Sequence, residues 1–159
     1  MKEAWNFDRC VSVLTGEIEL LKKISAAQDK VRQAIMNREW ADFDEKTAEV
    51  TRMGGEFALL EDERIRLFSG LGDAPFDALI MGLPTEQSRE LSRLYRELKM
   101  ETLKMQALNE TLLTYLNEAK TLAAAYLEAA CPARGGKLYT RKGRRVSQDL
   151  RSMVLNNHF

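Results

Sequence analysis

With one histidine, two cysteines and three prolines in 159 residues, the chain is short of the side chains that most metal, redox and nucleophilic chemistry requires. A structural zinc site takes four Cys or His ligands. Cys10, Cys131 and His158 are three residues scattered along the chain, so no metal is expected. A di-iron helical bundle needs Glu-x-x-His on two helices, which a lone His158 beside the C-terminus cannot supply. Neither thiol has an internal histidine to act as its base. Neither enzymatic activity nor a cofactor is expected. Nine glycines and three prolines exclude a collagen-like or low-complexity chain. The longest apolar stretch, Leu122 to Leu127, falls far short of the ~20 residues that cross a bilayer, so no membrane insertion is expected. Glu3 and Asp8 stand where a signal peptide would need an apolar core, which points to a cytoplasmic, reducing compartment with free thiols.

An excess of one charge is also lacking, with 24 Lys plus Arg against 24 Asp plus Glu. A uniformly basic nucleic-acid binder is thereby disfavoured. The balance conceals an asymmetry: residues 132–159 hold seven Lys or Arg against Asp149 alone, a net +6, and residues 1–131 carry the compensating −6. An acidic body ends in a basic tail.

What is present is helical periodicity. Trp5, Val11, Leu14, Ile18, Leu21, Ile24, Val31 and Ile35 form one amphipathic stripe, which predicts a helix over about 3–36 with Lys22, Lys23, Gln28, Lys30 and Arg32 on its wet side. Asn37 can end it. Asp42, with Glu45 three residues on, reads as the N-cap and capping box of a second helix over about 42–68. Its stripe is Phe43, Val50, Met53, Phe57, Leu60, Leu67 and Phe68. Gly54-Gly55 lies inside it and marks either a kink or a close approach by a neighbour, since each glycine costs a helix about 1 kcal/mol. The acidic clusters Asp42-Asp44-Glu45 and Glu61-Asp62-Glu63 read as a helix start and a solvated face.

Gly70, Gly72 and Pro75 force a break, after which Phe76, Leu79, Ile80 and Met81 fit a short helical turn over about 75–82, closed by Gly82-Leu83-Pro84. Thr85 then caps the longest element, free of Gly and Pro to about Cys131, where Pro132 stops it. Leu91, Leu94, Leu98, Met105, Leu108, Leu112, Tyr115, Ala119, Leu122, Tyr126 and Ala129 alternate in steps of three and four, with a polar gap at Glu101 or Thr102, as in a heptad seam. About 46 residues would make a rod of roughly 69 Å. The predicted fold is all-α: an elongated, coiled-coil-like, antiparallel three-helix bundle over 1–131, followed by a mobile basic C-terminal tail over 132–159.

In the tail, Arg134-Gly135-Gly136-Lys137 lacks the Ser or Thr and the preceding strand of a phosphate-binding loop. Leu138-Tyr139 is an apolar island, Arg141-Lys142-Gly143-Arg144-Arg145 is basic, and Val146, Leu150, Met153 and Val154 can line one face of a short helix. Such a helix is not stable alone and must dock on something, either the chain's own body or a partner. Binding of RNA or acidic membrane would use charge alone; protein docking explains why the apolar residues are spaced.

The whole arrangement resembles the FlgN family of flagellar export chaperones. The likeness lies in a Leu/Ile-patterned first helix, a second helix with Leu59-Leu60-Glu61-Asp62-Glu63-Arg64, a long third helix, and a tail reading Leu138-Tyr139-Thr140-Arg141-Lys142-Gly143-Arg144. Leu138, Tyr139 and Gly143 match the family's tail, and Thr140 stands where glycine often follows the tyrosine. The resemblance implies a non-catalytic chaperone that holds the terminal helices of flagellar hook-associated proteins and delivers them to the export gate. It further implies that Leu138, Tyr139 and Gly143 contact the gate, and that the segment with Val146, Leu150, Met153, Val154 and Leu155 engages cargo. Two other readings stay open: a coiled-coil structural adaptor that self-associates through spare heptad surface, and an RNA-binding module that uses the Arg141–Arg145 cluster.

Overall fold

A computed structural model of the protein describes residues 5–130. Four helices account for nearly all of them: α1 (Phe7–Asn37), α2 (Trp40–Ser69), α3 (Phe76–Met81) and α4 (Thr85–Ala130), with no strand among the described residues. The fold is all-α, a helical bundle.

Helix ends are set by local hydrogen bonding. The Asn6 carbonyl accepts from Cys10 N–H at 3.0 Å and the Asn6 side chain accepts from Arg9 N–H at 3.0 Å, so Asn6 is the N-cap of α1. Trp5 therefore precedes the helix instead of opening its stripe, and its ring packs edge-on against Phe68 at 5.6 Å. At the other end Arg38 adopts a left-handed conformation, φ 57°. Its N–H donates to the Ile35 carbonyl and that of Glu39 donates to the Ala34 carbonyl, the paired bonds of a Schellman turn.

The chain re-enters a helix at once. Phe43 N–H donates to the Glu39 carbonyl, so α2 starts at Trp40, and the expected cap at Asp42 is instead a residue of the first helical turn, where its charge favours the helix dipole. Gly54-Gly55 does not interrupt α2. A Cβ added at either glycine would meet nothing within 4 Å, which excludes the close-approach reading. Pro75 precedes α3, its carbonyl accepting from Leu79 N–H, and Gly82 ends it. The Pro84 carbonyl accepts from Ser88 N–H at 2.8 Å, so Thr85 is the first residue inside α4 and not its cap.

The chain divides into two compact units. Among the described residues, one combines 5–24 with Met53–Met105; the other combines Ser25–Arg52 with 106–130. In the first, Leu14, Leu21, Phe57, Phe68, Ile80, Leu91 and Leu98 are buried. Phe76 of α3 joins Phe68 of α2 and Tyr95 of α4 through ring contacts of 4.9 and 5.9 Å. This unit is also tied at its surface by Arg9–Glu63, Lys22–Glu97 and Asp77–Lys99. In the second, Val31, Ile35, Phe43, Val50, Leu112 and Leu116 are buried.

The buried positions follow an unbroken three-four spacing that the large apolar residues alone do not reveal. In α1 the frame is Cys10, Leu14, Glu17, Leu21, Ile24, Gln28, Val31 and Ile35, all buried. In α2, Phe43, Thr47, Val50, Phe57, Glu61, Arg64 and Phe68 keep it, with Gly54 at the step between Val50 and Phe57. In α4 it runs Leu91, Tyr95, Leu98, Thr102, Met105, Asn109, Leu112 and Leu116. Two expectations are corrected. Gln28 is fully buried and not on the wet side of α1, and the α4 seam passes through Asn109 and Leu116 instead of Leu108 and Tyr115. The physical reason is that a seam is selected by its distance from neighbouring helices, and polar side chains occupy it where packing requires them.

Candidate functional site

The residues that the sequence singles out for partner binding, Leu138, Tyr139, Gly143, Val146, Leu150, Met153, Val154 and Leu155, lie outside the described residues, as does Cys131. Two arrangements among the described residues have chemistry to offer: a buried ionic cluster and an uncovered helical face.

The cluster is built by α1 and α2 and roofed by α3. Glu17 and Arg64 are both fully buried, and Arg64 Nε donates to Glu17 Oε1 and Oε2 at 3.1 and 3.0 Å. Glu61, one helical turn before Arg64, brings Oε1 to 3.8 Å of Arg64 Nη2. The guanidinium also lies over the Phe76 ring, 5.2 Å from its centroid. Two carboxylates thus share one cation. Burial pushes the Glu17 carboxyl up to about 7; Arg64 pulls against that rise, and Glu61 adds to it. Cys10, buried one frame step from Leu14, has its thiol pushed up to about 12 by burial. At neutral pH it is protonated, a packing residue and not a nucleophile.

The expectation that Glu61-Asp62-Glu63 forms a solvated face is corrected at Glu61, which is buried, while Asp62 is exposed. The available signal was spacing: Glu17, Glu61 and Arg64 all fall on the three-four frame of their helices. The cluster is enclosed by packed side chains and is structural in character. Among the described residues no group of three or more His, Cys, Asp or Glu side chains is placed to hold a metal ion.

The uncovered face belongs to the last 14 residues of α4. No residue from Asn117 to Ala130 is buried, although the three-four spacing continues through Ala119, Ala123, Tyr126 and Ala130. Leu122 is 70% exposed and Tyr126 77% exposed, and Leu127 is also on the surface. The three-four frame through Asn109, Leu112 and Leu116 is therefore present in sequence to the end of α4 but covered only as far as Leu116. A surface depression lined by Thr114, Asn117, Glu118, Thr121 and Leu122 lies wholly on this one helix, so it can present a face to a partner but cannot enclose a small ligand. No helix of the described residues is long and apolar enough to cross a membrane.

Fold and surface define the class, an all-α helical-bundle protein with an open apolar helix end. Comparison with protein-family models, with curated proteins and with solved structures finds no match to this chain.

Proposed function

We propose that this chain is a non-catalytic, cytoplasmic export chaperone for flagellar hook-associated proteins, holding their terminal helices against premature assembly and delivering them to the flagellar type III export gate. The observation that carries this reading is the uncovered apolar end of α4, which leads directly into the basic tail containing Leu138-Tyr139 and the spaced apolar residues 146–155. An amphipathic helix that would otherwise self-assemble needs an apolar face with mixed charge beside it, and a helix-in-groove contact supplies one. In this reading Leu138, Tyr139 and Gly143 meet the gate, and Val146, Leu150, Met153, Val154 and Leu155 meet the cargo.

The architecture proposed for the body is three long helices running up, down and up. That α1 begins and α2 ends in one compact unit, while α1 ends and α2 begins in the other, supports the antiparallel order, as does α4 starting in the first unit and finishing in the second.

The test is a pull-down from lysate of the source cell, comparing the tagged full chain with a chain ending at Cys131, with retained proteins identified by mass spectrometry. Recovery of a hook-associated protein by the full chain alone is expected. Recovery of nucleic acid, or of neither cargo nor gate protein, would overturn the reading. The exposed α4 seam also favours a second reading, a structural adaptor that self-associates, which predicts a cargo-independent dimer or higher oligomer by light scattering.

A further inference from the structure

We propose that the uncovered end of α4 pairs antiparallel with the same stretch of a second copy of this chain, about a twofold axis at Ala124. The inference deepens the self-associating reading and rests on it. Leu122 and Tyr126, each more than two-thirds exposed, are the large members of a stripe that reads Ala119, Leu122, Tyr126, Ala129. Its steps are three, four and three, and its sizes run small, large, large, small, so it is the same read in either direction. A twofold contact needs a surface that is complementary to itself. An antiparallel copy of the stripe sets Leu122 against the second copy's Tyr126 and Ala119 against its Ala129, which is such a surface.

The extent of the cover agrees with this axis. Burial on α4 stops at Leu116, and the open stretch from Asn117 to Ala130 is centred between Ala123 and Ala124. Paired there, each copy covers the other's open residues, ~21 Å of helix. The stripe shares Ala119 and Tyr126 with the three-four frame that packs inside the chain, so the pairing continues an existing seam. The covered part of α4 precedes the open stretch. Antiparallel pairing therefore leaves the two covers at opposite ends, whereas parallel pairing would drive them against each other.

The flanks suit a close pair. Beside the stripe stand Glu118, Ala123, Ala125 and Ala130, three of them with nothing beyond Cβ. Helices approach more closely where the side chains at the contact are small. In the antiparallel order Glu118 lies across from the second copy's Ala125, so no like charges oppose each other on the seam. Two stretches of this length bury less than the ~800 Å² per partner of a standard interface, and the dimer is correspondingly weak, with Kd on the order of 10–100 µM. A partner helix that uses the same face competes with the second copy.

Sedimentation equilibrium of the full chain from about 5 to 500 µM spans this range. The mass is expected to rise from one copy towards two and no further, and Leu122→Asp with Tyr126→Asp, both at exposed positions, to hold it at one with an unchanged circular dichroism spectrum. A single copy throughout would overturn the inference and the self-associating reading together. A dimer that survives the double substitution, or growth beyond two copies, would overturn the inference alone. Direction is read from oxidative cross-linking in a Cys131→Ser background. A mixture of the Ala119→Cys chain and the Ala129→Cys chain is expected to link, and neither chain to link with itself. Linking within either chain alone would show a parallel pair and overturn the inference.

Discussion

Glu17 and Arg64 show how a buried charge can be tolerated in a helical core. Arg64 is compensated twice, by Glu17 and by Glu61, and rests on the Phe76 ring. Breaking such a pair leaves an uncompensated charge in a dry site, whereas replacing both members by apolar residues removes the cost together with the gain. Arg64→Met is therefore expected to lower the unfolding free energy by about 3 kcal/mol, and Glu17→Leu added to it to restore most of the loss, read from urea denaturation. The pH dependence has a definite sign. Glu17 titrates at about 7 in the folded chain, against ~4.3 when unfolded. The folded state holds a proton that the unfolded state releases between these values, so its contribution is full below the unfolded pKa and lost as pH rises through about 7. Measured against a Glu17→Gln variant, which cannot titrate, the wild type should lose relative stability between about pH 4 and 7. A flat difference would mean that Arg64 holds the carboxylate ionised. None of this cluster was legible from residue type, because Glu, Arg and Gln read as solvent-facing until the helices that bury them are known.

At the scale of the element, helix spans were legible and helix caps were not. The sequence placed helices at about 3–36, 42–68, 75–82 and 85–131; they lie at Phe7–Asn37, Trp40–Ser69, Phe76–Met81 and Thr85–Ala130 among the described residues. Periodicity and the Gly/Pro breaks are local signals, and Asn6 is a residue type that favours an N-cap, whereas Arg38 and Glu39 act through backbone geometry that no residue type announces. Arg38 holds φ 57° without being glycine. A left-handed conformation costs an L-residue about 1–2 kcal/mol, so Arg38→Gly should stabilise the chain by about 1 kcal/mol and raise its melting temperature. The opposite substitution applies in α2. Gly54 and Gly55 sit in a continuous helix with open space where a Cβ would go. Gly54→Ala and Gly55→Ala should each stabilise by about 0.4–1 kcal/mol in chemical denaturation. A loss of stability at either would show that the pair has a role other than filling helix.

At the scale of the whole molecule, the two compact units differ in how their buried polar groups are satisfied. The first pairs Glu17 with Arg64 and ties its helices by surface ion pairs. The second buries Gln28, Thr47 and Asn109, and among the described residues no hydrogen-bond partner meets either amide atom of Gln28, the Thr47 hydroxyl or Asn109 Oδ1. Unmet buried polar groups cost roughly 1–3 kcal/mol each. Buried amides of residues 28–35 and 109–116 should therefore exchange hydrogen before those of 14–21 and 57–68, by native-state exchange in low denaturant. Exchange in the reverse order would show that the polar positions are satisfied in solution. The all-α class, and the number of helices among the described residues with their spans to within a few residues, were determined by the sequence alone, because three-four spacing and glycine or proline breaks act over a few residues. Tertiary structure alone decided which stripe of each helix is buried, which polar side chains go inside with it, and where the cover on α4 ends. Those depend on the neighbours: side chains of α4 are buried as far as Leu116, and none from Asn117 to Ala130 is buried.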